Sequence, residues 1–151
     1  LEDSRLLARD RLECRAEILG VIEPDRRHPG GEGVHHVRRI ESRGWHDAIY
    51  LASGTELLIP YLPRPAQPKF QIRVSADDIL VATERPRGIS AGNVISGAIR
   101  RIETLDGEAL LTVLAGDEFF VRLTSSAISR LALKEDSPIF LIIKTRSFRV
   151  L

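Results

Sequence analysis

Methionine is missing from all 151 residues, and the chain opens on Leu1. Translation starts at methionine, so the sequence reads as a piece of a longer protein. Cysteine occurs once, as Cys14. A lone cysteine excludes an internal disulfide and points to a reducing compartment. No apolar run approaches the ~20 residues that cross a bilayer as a helix, and no signal peptide is visible. Aromatic residues make up 5% and the net charge is +1. Both argue against a nucleic-acid binder, which needs a basic groove and stacking rings. The pattern G-x-x-x-x-G-K-[ST] does not occur, so the chain has no phosphate-binding loop and is not read as an enzyme in its own right. The four histidines, His28, His35, His36 and His46, are irregularly spaced and lack cysteine partners, which matches no zinc pattern. Asp77 and Asp78 are adjacent in a stretch that reads as extended. Neighbours on a strand face opposite sides, so no acid–base pair and no catalytic residue is assigned.

What remains is a globular composition, 43% hydrophobic and 28% charged, in a chain long enough for one ordinary domain or two small ones. Residues 4–12 have helical spacing. Glu13–Glu23 alternates as a strand with Cys14, Ala16 and Ile18 on one face, and Pro24–Gly33 reads as loop. Two strands flank a turn at Arg43-Gly44, a third follows a turn at Ser53-Gly54, and Pro63–Pro68 is proline-rich loop. Phe70, Ile72 and Val74 alternate with polar residues in a further strand. The second half continues with "NVISGAIRRIET", a hairpin turn at "LDGE", then "ALLTVLAG" and "DEFFVRLT". One short helix is predicted over Thr124–Leu133, capped by the Thr124 hydroxyl. A last strand is predicted over Pro138–Val150. Short strands with turn signals and one helix make the chain mainly β, as two small OB-like barrels. The boundary falls in "ERPRG", Glu84–Gly88, giving subdomains 1–85 and 86–151, the helix being in the second.

The stretch "ISAGN", Ile89–Asn93, sets a hydroxyl, a glycine and a carboxamide directly before an apolar strand. A turn feeding a strand accounts for it, and so does one wall of an anion pocket. Thr124 and Ser125 stand at a helix start, where free amides and the helix dipole favour negative charge, although Thr124 serves equally as a plain N-cap. Lys144 ends an apolar strand, either as a cation for a ligand or with its ammonium simply reaching solvent.

The second half resembles the mop-type oxyanion-binding domain, a small OB-like barrel of the TOBE class. The resemblance rests on "GISAGNVISGAIRRIE", "VRLTSSAISRLAL" and "IFLIIKTRSFRV". Ser90, Asn93 and Gly97 match a Ser-x-Arg-Asn opening and the glycine four residues on. Leu123-Thr124 matches the helix start, and Ile143-Lys144 matches the closing strand. The preceding "IRVSADDILVAT" resembles the lead-in to this domain in ATP-binding subunits of molybdate ABC transporters. Residues 12–65 resemble the first half of that regulatory region more loosely.

The resemblance implies a regulatory domain without resident cofactor. It would bind molybdate or tungstate through Ser90, Gly92, Asn93, Thr124, Ser125 and Lys144, with opposite walls of the site drawn from neighbouring subunits or barrels. It further implies a homodimer, joined to a nucleotide-binding domain and through it to transporter membrane subunits, at the cytoplasmic face of the inner membrane. Two positions depart from the pattern. Gly92 stands where the family has arginine, and Ala127 where it has a serine. They favour the alternative of a dimerisation or assembly domain that binds no oxyanion.

Overall fold

In the computed structural model of the protein, residues 32–61 and 70–150 are described. The helix expected at 4–12, the strand at 13–23, most of the loop at 24–33 and the proline-rich segment 63–68 lie outside these residues. The described chain forms ten strands: β1 (Glu32–Ser42), β2 (His46–Leu51), β3 (Glu56–Pro60), β4 (Phe70–Ser75), β5 (Ile79–Ala82), β6 (Asn93–Leu105), β7 (Glu108–Ala115), β8 (Asp117–Thr124), β9 (Pro138–Ile143) and β10 (Arg149–Val150). One short helix, α1 (Ser125–Arg130), follows β8. The expectation of a mainly β chain with one short helix in its second half holds.

The strands make two five-stranded antiparallel sheets, ordered β10-β4-β1-β2-β3 and β5-β9-β6-β7-β8. The sheets exchange strands. β5 precedes the "ERPRG" segment yet pairs with β9 in the second sheet, Ile79 opposite Ile143. β10 follows it yet pairs with β4 in the first, Val150 opposite Ile72. Alternation dictates which face is buried. In β7, Ala109, Leu111, Val113 and Ala115 point inward; in β9, Ile139, Leu141 and Ile143 do so. Inward residues of both sheets join one hydrophobic cluster that runs from Val37, Ile49 and Ile72 to Ile99, Phe119 and Leu141. Each such fully buried side chain contributes roughly 1.5–3 kcal/mol.

Local chemistry explains the turns. β6 and β7 are joined by Asp106 (φ 51) and Gly107 (φ 78). Two consecutive positive φ values make the hairpin turn that Asp-Gly favours. A Cβ at Gly97 would sit 2.6 Å from the Leu114 carbonyl oxygen, so only glycine lets β6 pass this close to β7.

Three elements differ from the sequence expectation. The helix stops at Arg130, not Leu133. The Ala132 N–H donates to the Ser129 carbonyl (3.1 Å) and the Leu133 N–H to the Ile128 carbonyl (3.0 Å), with Ala132 at φ 51. This is the Schellman closure, and it turns Leu133 inward. The expected strand 138–150 breaks after Ile143. Lys144 is extended, Thr145–Ser147 make a 3-10 turn, and buried Phe148 leads into β10. Finally, β4 and β5 are separated by a 3-10 turn, Ala76–Asp78, whose Asp77 N–H donates to Ser75 Oγ at 3.3 Å.

Candidate functional site

The turn capped by Ser75, the loop before β6 and the segment after β9 converge on one cavity of about 410 Å³. Ser90 and Lys144 both line it, joined by Ser147 from the Thr145–Ser147 turn. Ile142, Leu80 and Ile89 give it an apolar wall, of which Leu80 and Ile89 are exposed. The register explains the wall: Leu80 of β5 is opposite Ile142 of β9.

Asp77 and Asp78 also line this cavity. The sequence reading set them on opposite faces because it took them as strand residues. In a 3-10 turn that alternation does not apply, and both reach the same space. The signal was present in "SADD", a serine poised to cap a turn two residues before its first acid. Asp77 lies 3.9 Å from Arg122 Nε on β8. Among the described residues, Asp78 and Lys144 have no ion-pair partner.

The other expected site residues are placed differently. Asn93 is buried and both polar atoms of its carboxamide are engaged. The Leu58 N–H donates to Asn93 Oδ1 (2.7 Å), and Asn93 Nδ2 donates to the Leu58 carbonyl (2.9 Å). The side chain acts as one more residue alongside β3, an edge strand among the described residues, and so ties β6 to the first sheet. Gly92 packs under Thr145. An added Cβ would fall inside contact distance of Thr145 Oγ1, with Leu58 Cδ1 at 3.7 Å. The family arginine therefore has no free space here unless Thr145 moves.

Thr124 and Ser125 do not line the cavity. Thr124 pairs with Glu108 beside the β6–β7 turn, and its hydroxyl accepts from the Ala127 N–H at 3.1 Å. The Ser125 N–H donates to the Gly107 carbonyl at 2.8 Å. Ser90 and Lys144 thus share one cavity, Gly92 and Asn93 buttress it against β3 and Thr145, and Thr124 and Ser125 form a separate group.

A second polar junction lies between the sheets. His35 of β1 is buried, stacks on Phe119 with ring centroids 4.3 Å apart, and directs Nδ1 at Asp117 Oδ2 from 3.8 Å. The His35 N–H aimed at the carboxylate holds Asp117 below the ordinary 3.8. Partial burial opposes this, while the Ser53 hydroxyl and His36 add to it. Among the described residues, no group of three or more His, Cys, Asp or Glu side chains is arranged to hold a metal ion, and no helix is long and apolar enough to cross a membrane.

No protein-family profile matches the chain. Relatives are found among molybdenum import ATP-binding proteins, ModC. That of Rhizobium etli is 33% identical over 123 residues, which is 80% of this chain and 34% of the relative. That of Mesorhizobium japonicum is 24% identical over 150 residues, 98% of this chain and 40% of the relative. The chain spans well under half the length of these relatives, and the part it matches is their C-terminal region. In three dimensions it is similar to the cytoplasmic molybdate-binding protein ModG in its molybdate-bound form. The TM-score is 0.65 at 23% identity, covering 78% of this chain and 94% of that one, which establishes a common fold.

Proposed function

From its kinship with the C-terminal region of molybdenum import ATP-binding proteins, we propose that this chain is the oxyanion-sensing regulatory region of such an importer subunit, with molybdate or tungstate as ligand. The observation that carries the reading is the meeting of Ser90 and Lys144, two of the motif positions, in one cavity, where a hydroxyl and an ammonium can both donate. A tetrahedral dianion offers acceptor oxygens only, so hydroxyls and an ammonium are its natural partners. Thr124 and Ser125 stand outside that cavity, and in this reading they form the opposite wall supplied by a second copy. Leu80 in the cavity wall and Leu105 beside the Thr124 group are 61% and 76% exposed, apolar area that pairing of two copies would cover.

In this reading the region works as a homodimer at the cytoplasmic face of the membrane. Its partners are the nucleotide-binding part of its own polypeptide and the importer's membrane subunits. It contributes regulation rather than hydrolysis: ligand shifts the paired arrangement only to the extent that it binds one arrangement more tightly.

Isothermal calorimetry with molybdate and tungstate, against sulfate, tests the reading, together with sedimentation for the dimer. Lys144→Ala should weaken binding about ten- to a hundredfold, the weight of one charge-assisted hydrogen bond. Absence of binding by the native protein would leave an assembly role. The close packing of Gly92 and the engagement of Asn93 as a structural latch favour that second reading.

A further inference from the structure

We infer that Asp78 is an electrostatic gate on this cavity, setting how tightly it holds a doubly charged anion. The inference rests on the oxyanion reading above and deepens it. Four charged groups bear on the space. Asp77, Asp78 and Lys144 line it, and Arg122 meets Asp77 from β8 at 3.9 Å. Arg122 offsets Asp77. That leaves the Lys144 ammonium against the Asp78 carboxylate, which has no ion-pair partner among the described residues. The formal charges lining the cavity then sum to zero, and Asp78 takes back part of what an entering dianion gains from Lys144. A carboxylate also offers acceptors only, so it gives a fully deprotonated oxyanion no hydrogen bond in return.

The cavity faces water, so the repulsion is that of charges several ångströms apart at high dielectric. Removing it is worth about three- to tenfold in affinity for a dianion at low ionic strength. Coulomb's law is linear in ligand charge, so the logarithm of the gain is halved for a monoanion. Molybdate and perrhenate, tetrahedral ions of charge −2 and −1, separate this effect from any change of shape.

Asp78→Asn in the full chain should bind molybdate about three- to tenfold more tightly than native protein, and perrhenate by about the square root of that factor. Both gains should shrink as sodium chloride is raised to ~0.5 M. Asp78→Glu should keep native affinity. Thermal denaturation of each variant confirms that it folds. Native-like molybdate affinity in Asp78→Asn, or a gain equal for both ions and indifferent to salt, overturns the gate and leaves the oxyanion reading standing. Failure of native protein and every variant to bind molybdate, tungstate or perrhenate overturns that reading and the gate with it.

Discussion

Asn93 offers the sharpest test of how the two sheets are joined. Its carboxamide satisfies the Leu58 N–H at 2.7 Å and the Leu58 carbonyl at 2.9 Å, in a position only 3% exposed. Asn93→Ala removes both partners and strands one donor and one acceptor. Each unsatisfied buried group costs about 1–3 kcal/mol, so the loss should be about 2–6 kcal/mol if water reaches neither. Asn93→Asp is the discriminating variant. One carboxylate oxygen can still accept from the Leu58 N–H, but the other faces the Leu58 carbonyl, oxygen against oxygen, and the new charge is buried. At neutral pH this variant should be less stable than Asn93→Ala. Protonation turns the second oxygen into a donor toward that carbonyl and restores the pattern. Burial and the facing carbonyl raise the folded-state pKa of the introduced acid above its unfolded value. The deficit of Asn93→Asp relative to native protein should therefore narrow as pH falls through that raised pKa, and widen again above it. Denaturant unfolding of the three proteins between about pH 4.5 and 7.5 measures this, and hydrogen exchange at the Leu58 amide locates it. Equal stability of Asn93→Ala and native protein, or a pH-independent deficit in Asn93→Asp, would refute the latch.

Gly92→Ala should lose about 1–3 kcal/mol by overpacking, and adding Thr145→Ala should restore most of it, since the remaining Thr145 Cβ lies an ordinary 3.7 Å from the new methyl; a harmless single substitution in a denaturant titration would mean that Thr145 simply turns aside. Ala132→Gly should raise stability by about 0.5–1 kcal/mol by relieving a left-handed alanine at the helix end, read as a rise in the unfolding midpoint. Because the folded-state pKa of Asp117 is depressed, its contribution is fully present above the ordinary 3.8 and is lost as pH falls through the lower folded value. His35→Phe should flatten this acid limb in a pH series of unfolding curves, and an unchanged limb would deny His35 its part.

Much of this was legible in the sequence because it follows from alternation and turn chemistry. β7 reads directly from Ala109 to Ala115, and Asp106-Gly107 announces its hairpin. The strand after Ile143 was misread because "KTRSFRV" keeps enough apolar residues to look continuous. Only the pairing of β10 with β4, Val150 opposite Ile72, shows that the chain changes sheets. Of the residues expected to hold an anion, Ser90 and Lys144 line one cavity, and the turn before β6 is legible in "ISAGN". The sequence could not show that Asn93 is consumed by Leu58, thirty-five residues earlier, because a carboxamide free to bind and one already engaged are spelled alike. Asp77 and Asp78 were set apart by a strand rule that a 3-10 turn cancels.

The exchange of β5 and β10 between the sheets has a consequence for how the protein is made. Strands β1 to β4 are made before the other described strands, and among the described residues their sheet gains its outer strand only when residues 149–150 follow. Until then, β4 lacks this edge partner and is better able to pair with another nascent chain. The second sheet, for its part, takes its edge strand from residues made before any of its other strands. Neither half has its full complement of partners while the other is missing. Maturation should thus come late and as one event, and a stall or cleavage before Arg149 should leave a product prone to joining its neighbours.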